Sequence, residues 1–149
     1  MTVSAAVTAD LADLTRLFAG YLRFYRVPRD EAEIAAFLGL RLQRGDSQLF
    51  IARSEQGAAQ GFVQLYPFHS SLALEPAWLL SDLYVDESAR RSGVGEALMN
   101  AARAHAEATG ACGLQLETAK TNLAGQRLYQ RLGYVRDEQF FTYWLSLRG

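Results

Sequence analysis

The chain has 149 residues, half of them apolar, with 15 basic and 16 acidic side chains. A chain of this length buries roughly two-thirds of its unfolded surface in one core, so we expect a single domain over residues 1–149. The near-zero net charge excludes the basic field typical of nucleic-acid-binding proteins. No apolar run approaches the ~20 residues of a membrane-spanning helix, so we expect no membrane insertion.

The first half of the sequence predicts a strand, two helices and three strands. Residues 2–7 are rich in β-branched side chains, and the apolar spacing from Leu11 to Phe18 is helical. A second helix is predicted from Pro28 to Gly45. Three apolar runs of strand length follow and predict antiparallel pairing: Leu49–Ala52, Phe62–Phe68 and Trp78–Val85.

The second half predicts a helix, a strand, a helix and a final strand. These elements are Gly93–Ala108, Gly113–Thr118, Leu123–Leu132 and the aromatic run Phe140–Leu147. In the first of them the alanines at 97, 101, 104 and 108 share one side, which predicts close packing of that side on a sheet. The chain is thus an α+β unit in the order βααβββαβαβ, with a further short strand near Tyr134 as an alternative.

The only cysteine, Cys112, has no partner for a disulfide within the chain. Together with an N-terminus that lacks the segments of a secretory signal, this predicts a reducing cytoplasmic location. No histidine is paired with Cys112 in the sequence, so we expect a buried structural thiol rather than a nucleophile. We also expect no metal site.

A glycine motif provides the strongest functional signal. The strand end Asp82-Leu83-Tyr84-Val85 leads through a polar turn into Arg90-Arg91-Ser92-Gly93-Val94-Gly95 and then into a helix. Amides at a helix N-terminus lack intrahelical acceptors, and with the helix dipole they bind phosphate groups. The two glycines allow close approach of a ligand, and the two arginines add charge-assisted hydrogen bonds. This pattern indicates an anionic ligand with a phosphate or pyrophosphate group.

Two other phosphate-binding motifs fit less well. A P-loop needs Lys followed by Ser or Thr after its last glycine, whereas Glu96 and Ala97 stand there. In a dinucleotide-binding fold, Glu117 would lie at about the distance of the acid that binds the ribose. However, Leu98 occupies the place of the third glycine of that motif, and seven residues separate Val85 from Gly93 where that fold has a tight turn. The residues alone leave open an ordinary loop without a ligand.

The motif and its context resemble the GNAT superfamily of N-acetyltransferases over nearly the whole chain. Arg90, Gly93 and Gly95 match the family pattern Q/R-x-x-G-x-G/A, and Asn122 and Tyr129 match the family's downstream helix. Residues seven positions apart on a helix lie on nearly the same face, so the side chains of Asn122 and Tyr129 are expected to point to the same side. A helix cap at Asn122 and a core aromatic at Tyr129 are the structural alternatives.

The resemblance implies an acyl-CoA acyltransferase fold, with a mixed, mostly antiparallel sheet of six to seven strands flanked by four helices. It also implies acetyl-CoA as cofactor, with the pantetheine arm on a splayed central strand and the pyrophosphate in the glycine loop. The cofactor-binding residues implied are Leu83, Tyr84, Val85, Arg90, Arg91, Ser92, Gly93, Val94, Gly95, Glu96, Asn122 and Tyr129.

The reaction implied is direct attack of a primary amine on the acetyl thioester in a ternary complex. Tyr129 would protonate the leaving thiolate. In several relatives a glutamate precedes the acid of the strand motif, but Ser81 stands there. Asp82, a water relay and a residue from the first two helices are therefore the candidate bases, and we expect a water relay with Asp82 nearby.

The acceptor amine is expected near the junction of the first two helices. Tyr21, Tyr25 and Asp30 supply aromatic walls and a carboxylate for a cation, with Ser81 at the strand. A solvated helix end with core aromatics is the structural alternative for the residues of these two helices. The tail Gln139–Trp144 resembles Hpa-type and polyamine acetyltransferases. A polyamine, another small amine, a lysine side chain or a protein N-terminus are the candidate acceptors, and we expect a homodimer. A catalytically weak acyl-CoA sensor and a purely structural dimer-forming domain are the alternatives.

Overall fold

The structure is a computed structural model that describes residues 1–148. These residues form two compact units, which are described separately: Met1–Glu117 and a second unit that begins at Thr118.

The first unit is built on a sheet of five strands that lie side by side in chain order. Neighbouring strands are antiparallel except the last two, which are parallel. The strands are β1 (Thr2–Ala5), β2 (Gln48–Arg53), β3 (Ala59–Ser70), β4 (Glu75–Val85) and β5 (Leu114–Leu116).

Three helices belong to this unit: α1 (Leu11–Phe24), α2 (Glu31–Arg44) and α3 (Val94–Ala108). The side chain of Asp30 accepts a hydrogen bond from the Ala32 amide and caps α2, which ends at Gly45 in the left-handed region. The apolar stripes of α1 and α2 meet the sheet in a core that includes Leu14, Leu38 and Phe62. No helix among residues 1–148 is both long and apolar enough to span a membrane.

Helix α3 turns a different face to the core from the one expected. Its buried residues are Val94, Leu98, Met99, Ala102 and Ala106, whereas the predicted alanine side includes the exposed residues 104 and 108. The prediction of an alanine interface was wrong. The buried face includes the larger side chains of Leu98 and Met99, so burying it removes more apolar surface from water than burying the alanine face would.

Strand β4 is irregular where the predicted site lies. Gln64 of β3 pairs with Asp82 and Leu65 pairs with Leu80, so Ser81 is an extra residue in β4. The pairing of β4 with β5 stops at Leu80, whereas its pairing with β3 continues to Val85. Within residues 1–148, no strand pairs with the β5-facing edge of β4 beyond the bulge.

The second unit contains α4 (Leu123–Arg131). The predicted strand Phe140–Leu147 is wrong, and so is the predicted count of six to seven strands, since residues 132–148 contain no strand. A strand needs a hydrogen-bonded neighbour, but the Phe140 amide donates to the nearby side chain of Asp137, which forms a local turn.

Cys112 also departs from expectation, because it is exposed rather than buried. It precedes β5 in a loop, where its amide donates to the carbonyl oxygen of Pro76 at 2.8 Å.

Candidate active site

The glycine motif forms the start of α3. Gly93 is the N-cap residue with φ of 85°, and the Ala97 amide makes the first helical hydrogen bond, to the Gly93 carbonyl. The amides before Ala97 are those for which an α-helix offers no acceptor. Arg91 is also in the left-handed region, with φ of 63°, and the Ser92 hydroxyl donates to the Ala89 carbonyl. The loop therefore presents a turn of backbone amides at the positive end of a 15-residue helix.

Arg90 links this loop to the end of β4. Its Nε donates to the Val85 carbonyl at 3.1 Å, and its guanidinium carbon lies 5.6 Å from the ring centre of Tyr84 and 5.9 Å from that of Phe24. These distances are within the range of cation–π attraction. The Arg90 charge thus also helps to hold the loop, β4 and the end of α1 together.

The strand segment Leu83–Val85 is paired along one edge, and no strand of the described residues pairs with its other edge, which we call the open edge. Leu83 pairs with Val63 and Tyr84 with Phe62 on β3, and the opposite edge lies beyond the last pair with β5. The Tyr84 ring packs against α1 at Gly20, where an added Cβ would lie 2.7 Å from its hydroxyl oxygen. This segment therefore offers backbone hydrogen-bonding groups on a well-supported strand.

Asp82 lies at the bulge with 9% of its surface exposed. Its Oδ2 accepts a hydrogen bond of 2.9 Å from Nε2 of Gln64, which is fully buried. The Oε1 of Gln64 accepts in turn from the Ser47 hydroxyl at 2.8 Å. Burial raises the pKa of Asp82 above its usual range, and hydrogen bonds from Gln64, Tyr21 and Ser81 act against that rise.

Two tyrosines flank this carboxylate. The Tyr21 hydroxyl lies 3.4 Å from the Ser81 carbonyl oxygen and within hydrogen-bonding reach of Asp82. Burial and the negative charge of Asp82 raise the pKa of Tyr66 to about 12. Tyr25, which is exposed, packs edge-on against Tyr21 with ring centres 5.1 Å apart.

The structure thus brings together Tyr21, Ser81 and Asp82 of the predicted site and places Tyr25 beside them. Asp30, in contrast, is the cap of α2 described above. Sequence reasoning missed Gln64 and Ser47. Gln64 donates a hydrogen bond to Asp82, and Ser47 donates one to Gln64. The available signal for Gln64 was an amide within the apolar run Phe62–Phe68.

In the second unit, Asn122 and Tyr129 belong to α4. Asn122 caps the helix by accepting from the Gly125 amide at 3.2 Å, and its Nδ2 donates to the Thr118 hydroxyl at 3.0 Å. The ring centres of Tyr129 and Tyr134 are 6.2 Å apart. Within residues 1–148 no cluster of His, Cys, Asp and Glu side chains could hold a metal ion.

Residues 12–134 match the model of the acetyltransferase (GNAT) family. An uncharacterised N-acetyltransferase of Bacillus subtilis, YhfO, is 38% identical over 147 residues, which are 99% of this chain and 98% of that protein.

Solved structures agree with this result. The crystal structure of a probable acetyltransferase superposes with a TM-score of 0.94 at 33% identity, covering 100% of this chain and 99% of the other. The aminoglycoside acetyltransferase AAC(6')-Iy, in complex with a CoA bisubstrate analogue, has the same fold, with a TM-score of 0.82 at 22% identity and 97% of each chain covered. The predictions of the GNAT superfamily and of its α+β fold are confirmed. The chain belongs to the GNAT family and is an N-acetyltransferase that uses acetyl-CoA.

Proposed function

We propose that the protein transfers the acetyl group of acetyl-CoA to a primary amine by direct attack in a ternary complex, with Asp82 as the proton acceptor. The observation that carries this proposal is a buried carboxylate at the bulge of β4, next to the open edge of the same strand. Acetyl-CoA supplies an activated thioester, and the protein residues hold it and move protons.

The residues at the start of α3 fit the pyrophosphate of the cofactor. An added Cβ at Gly93 would meet no protein atom within 4 Å, so the structure leaves open space beside this residue. Arg91, Ser92, Val94, Gly95 and Glu96 complete the proposed cradle. The backbone of Leu83–Val85 would hold the pantetheine arm through the hydrogen-bonding groups at its open edge.

A base is needed because an alkylamine of pKa ~10.4 is only about 0.1% neutral near pH 7.4. An ordinary carboxylate is a weak base at that pH, but burial raises the pKa of Asp82 and makes it a better proton acceptor. Ser81, where several relatives have glutamate, is exposed beside it. In our proposal, water relays the amine proton past Ser81 to Asp82.

The family resemblance supports roles for further residues in protonating the leaving thiolate and stabilising the acetyl oxygen. Tyr129, a phenol of ordinary pKa ~10, would protonate the departing CoA thiolate. A backbone N–H of Leu83–Val85 would donate to the negative charge that develops on the acetyl oxygen. Asn122 would stabilise the start of the helix that carries Tyr129, since it caps α4.

The acceptor site proposed for the amine is walled by Tyr21 and Tyr25. Both rings belong to a cluster of edge-on aromatic contacts at the end of α1, and such faces attract ammonium groups. Asp30, at the start of α2, is a weaker candidate because it is engaged as a cap. The acceptors to be tested are polyamines, other small amines, lysine peptides and protein N-termini.

We also propose a cytoplasmic homodimer. The tail of the chain exposes a row of large apolar side chains that a second copy could cover. They are Phe140, Phe141, Tyr143, Trp144, Leu145 and Leu147. A monomeric mass by light scattering at working concentration would contradict the dimer.

The test of the catalytic proposal is release of the CoA thiol from acetyl-CoA with a panel of spermidine, diamines, amino sugars, amino acids and a lysine peptide. Asp82→Asn should lower amine-dependent turnover by about 10² or more. Asp86→Asn makes the same change just after β4, at a residue half-buried beside Arg16, and should keep most of the activity. Equal turnover of Asp82→Asn and wild type across the pH range would remove Asp82 as the base.

A further inference from the structure

Gln64 is a buried amide whose two ends are both hydrogen-bonded. Its Nε2 donates to Asp82 Oδ2 at 2.9 Å, its Oε1 accepts from the Ser47 hydroxyl at 2.8 Å, and the residue has no exposed surface. Burying an amide in a strand is costly unless both ends are paired. The cost is avoided here by two connected hydrogen bonds, one from Ser47, before β2, to Gln64 on β3, and one from Gln64 to Asp82 at the bulge of β4.

The two hydrogen bonds determine which way the amide points. The Asp82 carboxylate can only accept, so the Gln64 NH2 group faces it, and Oε1 then faces the Ser47 hydroxyl, which donates to it. The reverse orientation would place two oxygen atoms against each other beside a buried negative charge. The arrangement therefore favours the ionised form of Asp82, since a donated hydrogen bond stabilises a carboxylate more than a neutral carboxyl group.

We propose that Gln64 is a positioning residue of the acetyl transfer, which orients the Asp82 carboxylate and keeps it ionised until the amine proton arrives, while the hydrogen bond from Ser47 anchors the other end of the Gln64 amide. This inference rests on the proposed role of Asp82 as base. The bond from Gln64 occupies one side of the carboxylate, so the proton is received on the remaining lone pairs.

Other groups around Asp82 also influence its titration. Tyr21 approaches from α1, and Tyr66 of β3 interacts with its charge. Arg41 and Asp46, whose side chains pair at 2.7 Å, act on Tyr66. None of these groups is altered by a change at Gln64, so their effects on the Asp82 pKa are common to the wild type and the Gln64 variant.

The experiment is a carbon-13 NMR titration of protein labelled at the aspartate carboxyl groups, with the Asp82 signal assigned by its loss in Asp82→Asn. Gln64→Met keeps the length of the side chain and removes the donor. The pKa of Asp82 should then rise by about 1 to 2 pH units. Ser47→Ala should cause a smaller rise, because the amide still faces the carboxylate but its Oε1 end is no longer anchored.

The matched control is Gln60→Met, on the same strand. The side-chain oxygen of Gln60 is buried without a hydrogen-bond partner among the described residues, so this variant should leave the Asp82 pKa unchanged. An unchanged pKa in folded Gln64→Met, or an equal rise in Gln60→Met, would overturn the inference. If Gln64→Met does not fold, Ser47→Ala decides, and an unchanged Asp82 pKa there would have the same meaning.

Kinetics separate this inference from the proposed function. The pKa that describes the acid limb of the pH profile of kcat/KM for the amine should rise by the same amount as the Asp82 pKa measured by NMR. The KM for acetyl-CoA should not change. An NMR shift in Gln64→Met, together with an acid limb that is unmoved there and retained in Asp82→Asn, would reject Asp82 as the base, and with it the role of Gln64 in the reaction. An acid limb that is lost in Asp82→Asn but unmoved in Gln64→Met would reject the role of Gln64 alone.

Discussion

Replacing Gly93 by alanine tests the cofactor cradle most directly. Gly93 has φ of 85°, in the left-handed region, and an added Cβ would meet no protein atom within 4 Å. The substitution therefore costs backbone strain without a protein clash. In our proposal the Cβ projects into the space that the pyrophosphate occupies.

The effect on stability follows from the backbone alone. A left-handed alanine costs about 1–2 kcal/mol, and the reduced freedom of the unfolded chain offsets about 0.4–1 kcal/mol of that cost. The free energy of unfolding should fall by about 1 kcal/mol. The affinity for acetyl-CoA should fall by about tenfold or more, since a methyl group separates the phosphates from the amides.

Gly57 provides a matched control, because its φ is 87° and its added Cβ would also be in open space, in the turn between β2 and β3. Urea unfolding should show a similar loss of stability for Gly57→Ala and Gly93→Ala. Isothermal titration calorimetry should show weakened acetyl-CoA binding only for Gly93→Ala. Equal affinity of the two variants would refute the assignment of the cradle.

Four further outcomes are expected. Gly61→Ala should lower the free energy of unfolding by about 1–3 kcal/mol in urea, because its Cβ would lie 2.7 Å from the Tyr84 carbonyl oxygen and push β4 outward. Gly39→Ala, within α2 and with its nearest contact at 3.8 Å, should instead raise it by up to about 1 kcal/mol in the same assay. Tyr129→Phe should lower kcat by about tenfold or more with little change in acetyl-CoA affinity, and unchanged single-turnover rates would exclude it as the proton donor. Burial lowers the pKa of His105 below 6.5, so the unfolded chain takes up a proton first as the pH falls through 6.5. The free energy of unfolding should then decrease as the pH is lowered. In His105→Leu it should depend less on pH, as measured by urea titrations between pH 7.5 and 5.

Local sequence patterns were sufficient for most helices and for the glycine motif. A cap such as Asp30, a turn such as Gly93 and an apolar stripe in α1 each depend on residues within one or two helical turns. The same locality explains why the family motif is recognisable in the amino-acid sequence alone. Its glycines lie at the start of a single helix.

Two expectations failed where they depended on partners distant in sequence. The aromatic run Phe140–Leu147 has strand propensity, but a strand forms only when another strand accepts and donates its backbone hydrogen bonds. The face of α3 was misjudged because both candidate stripes have helical periodicity. Burial of the larger side chains Leu98 and Met99 decided between them.

The sequence by itself therefore determined the family, the order of the first nine elements and the place of the glycine motif at the start of α3, since these depend on short segments of the chain. Only the tertiary structure decided the environment of Asp82. Its partner Gln64 is 18 residues away, and the two side chains meet because a one-residue bulge at Ser81 sets the register of β3 on β4. A bulge of this kind alters which side chains share a face, and burial at that point then raises the pKa of the carboxylate proposed to accept the proton.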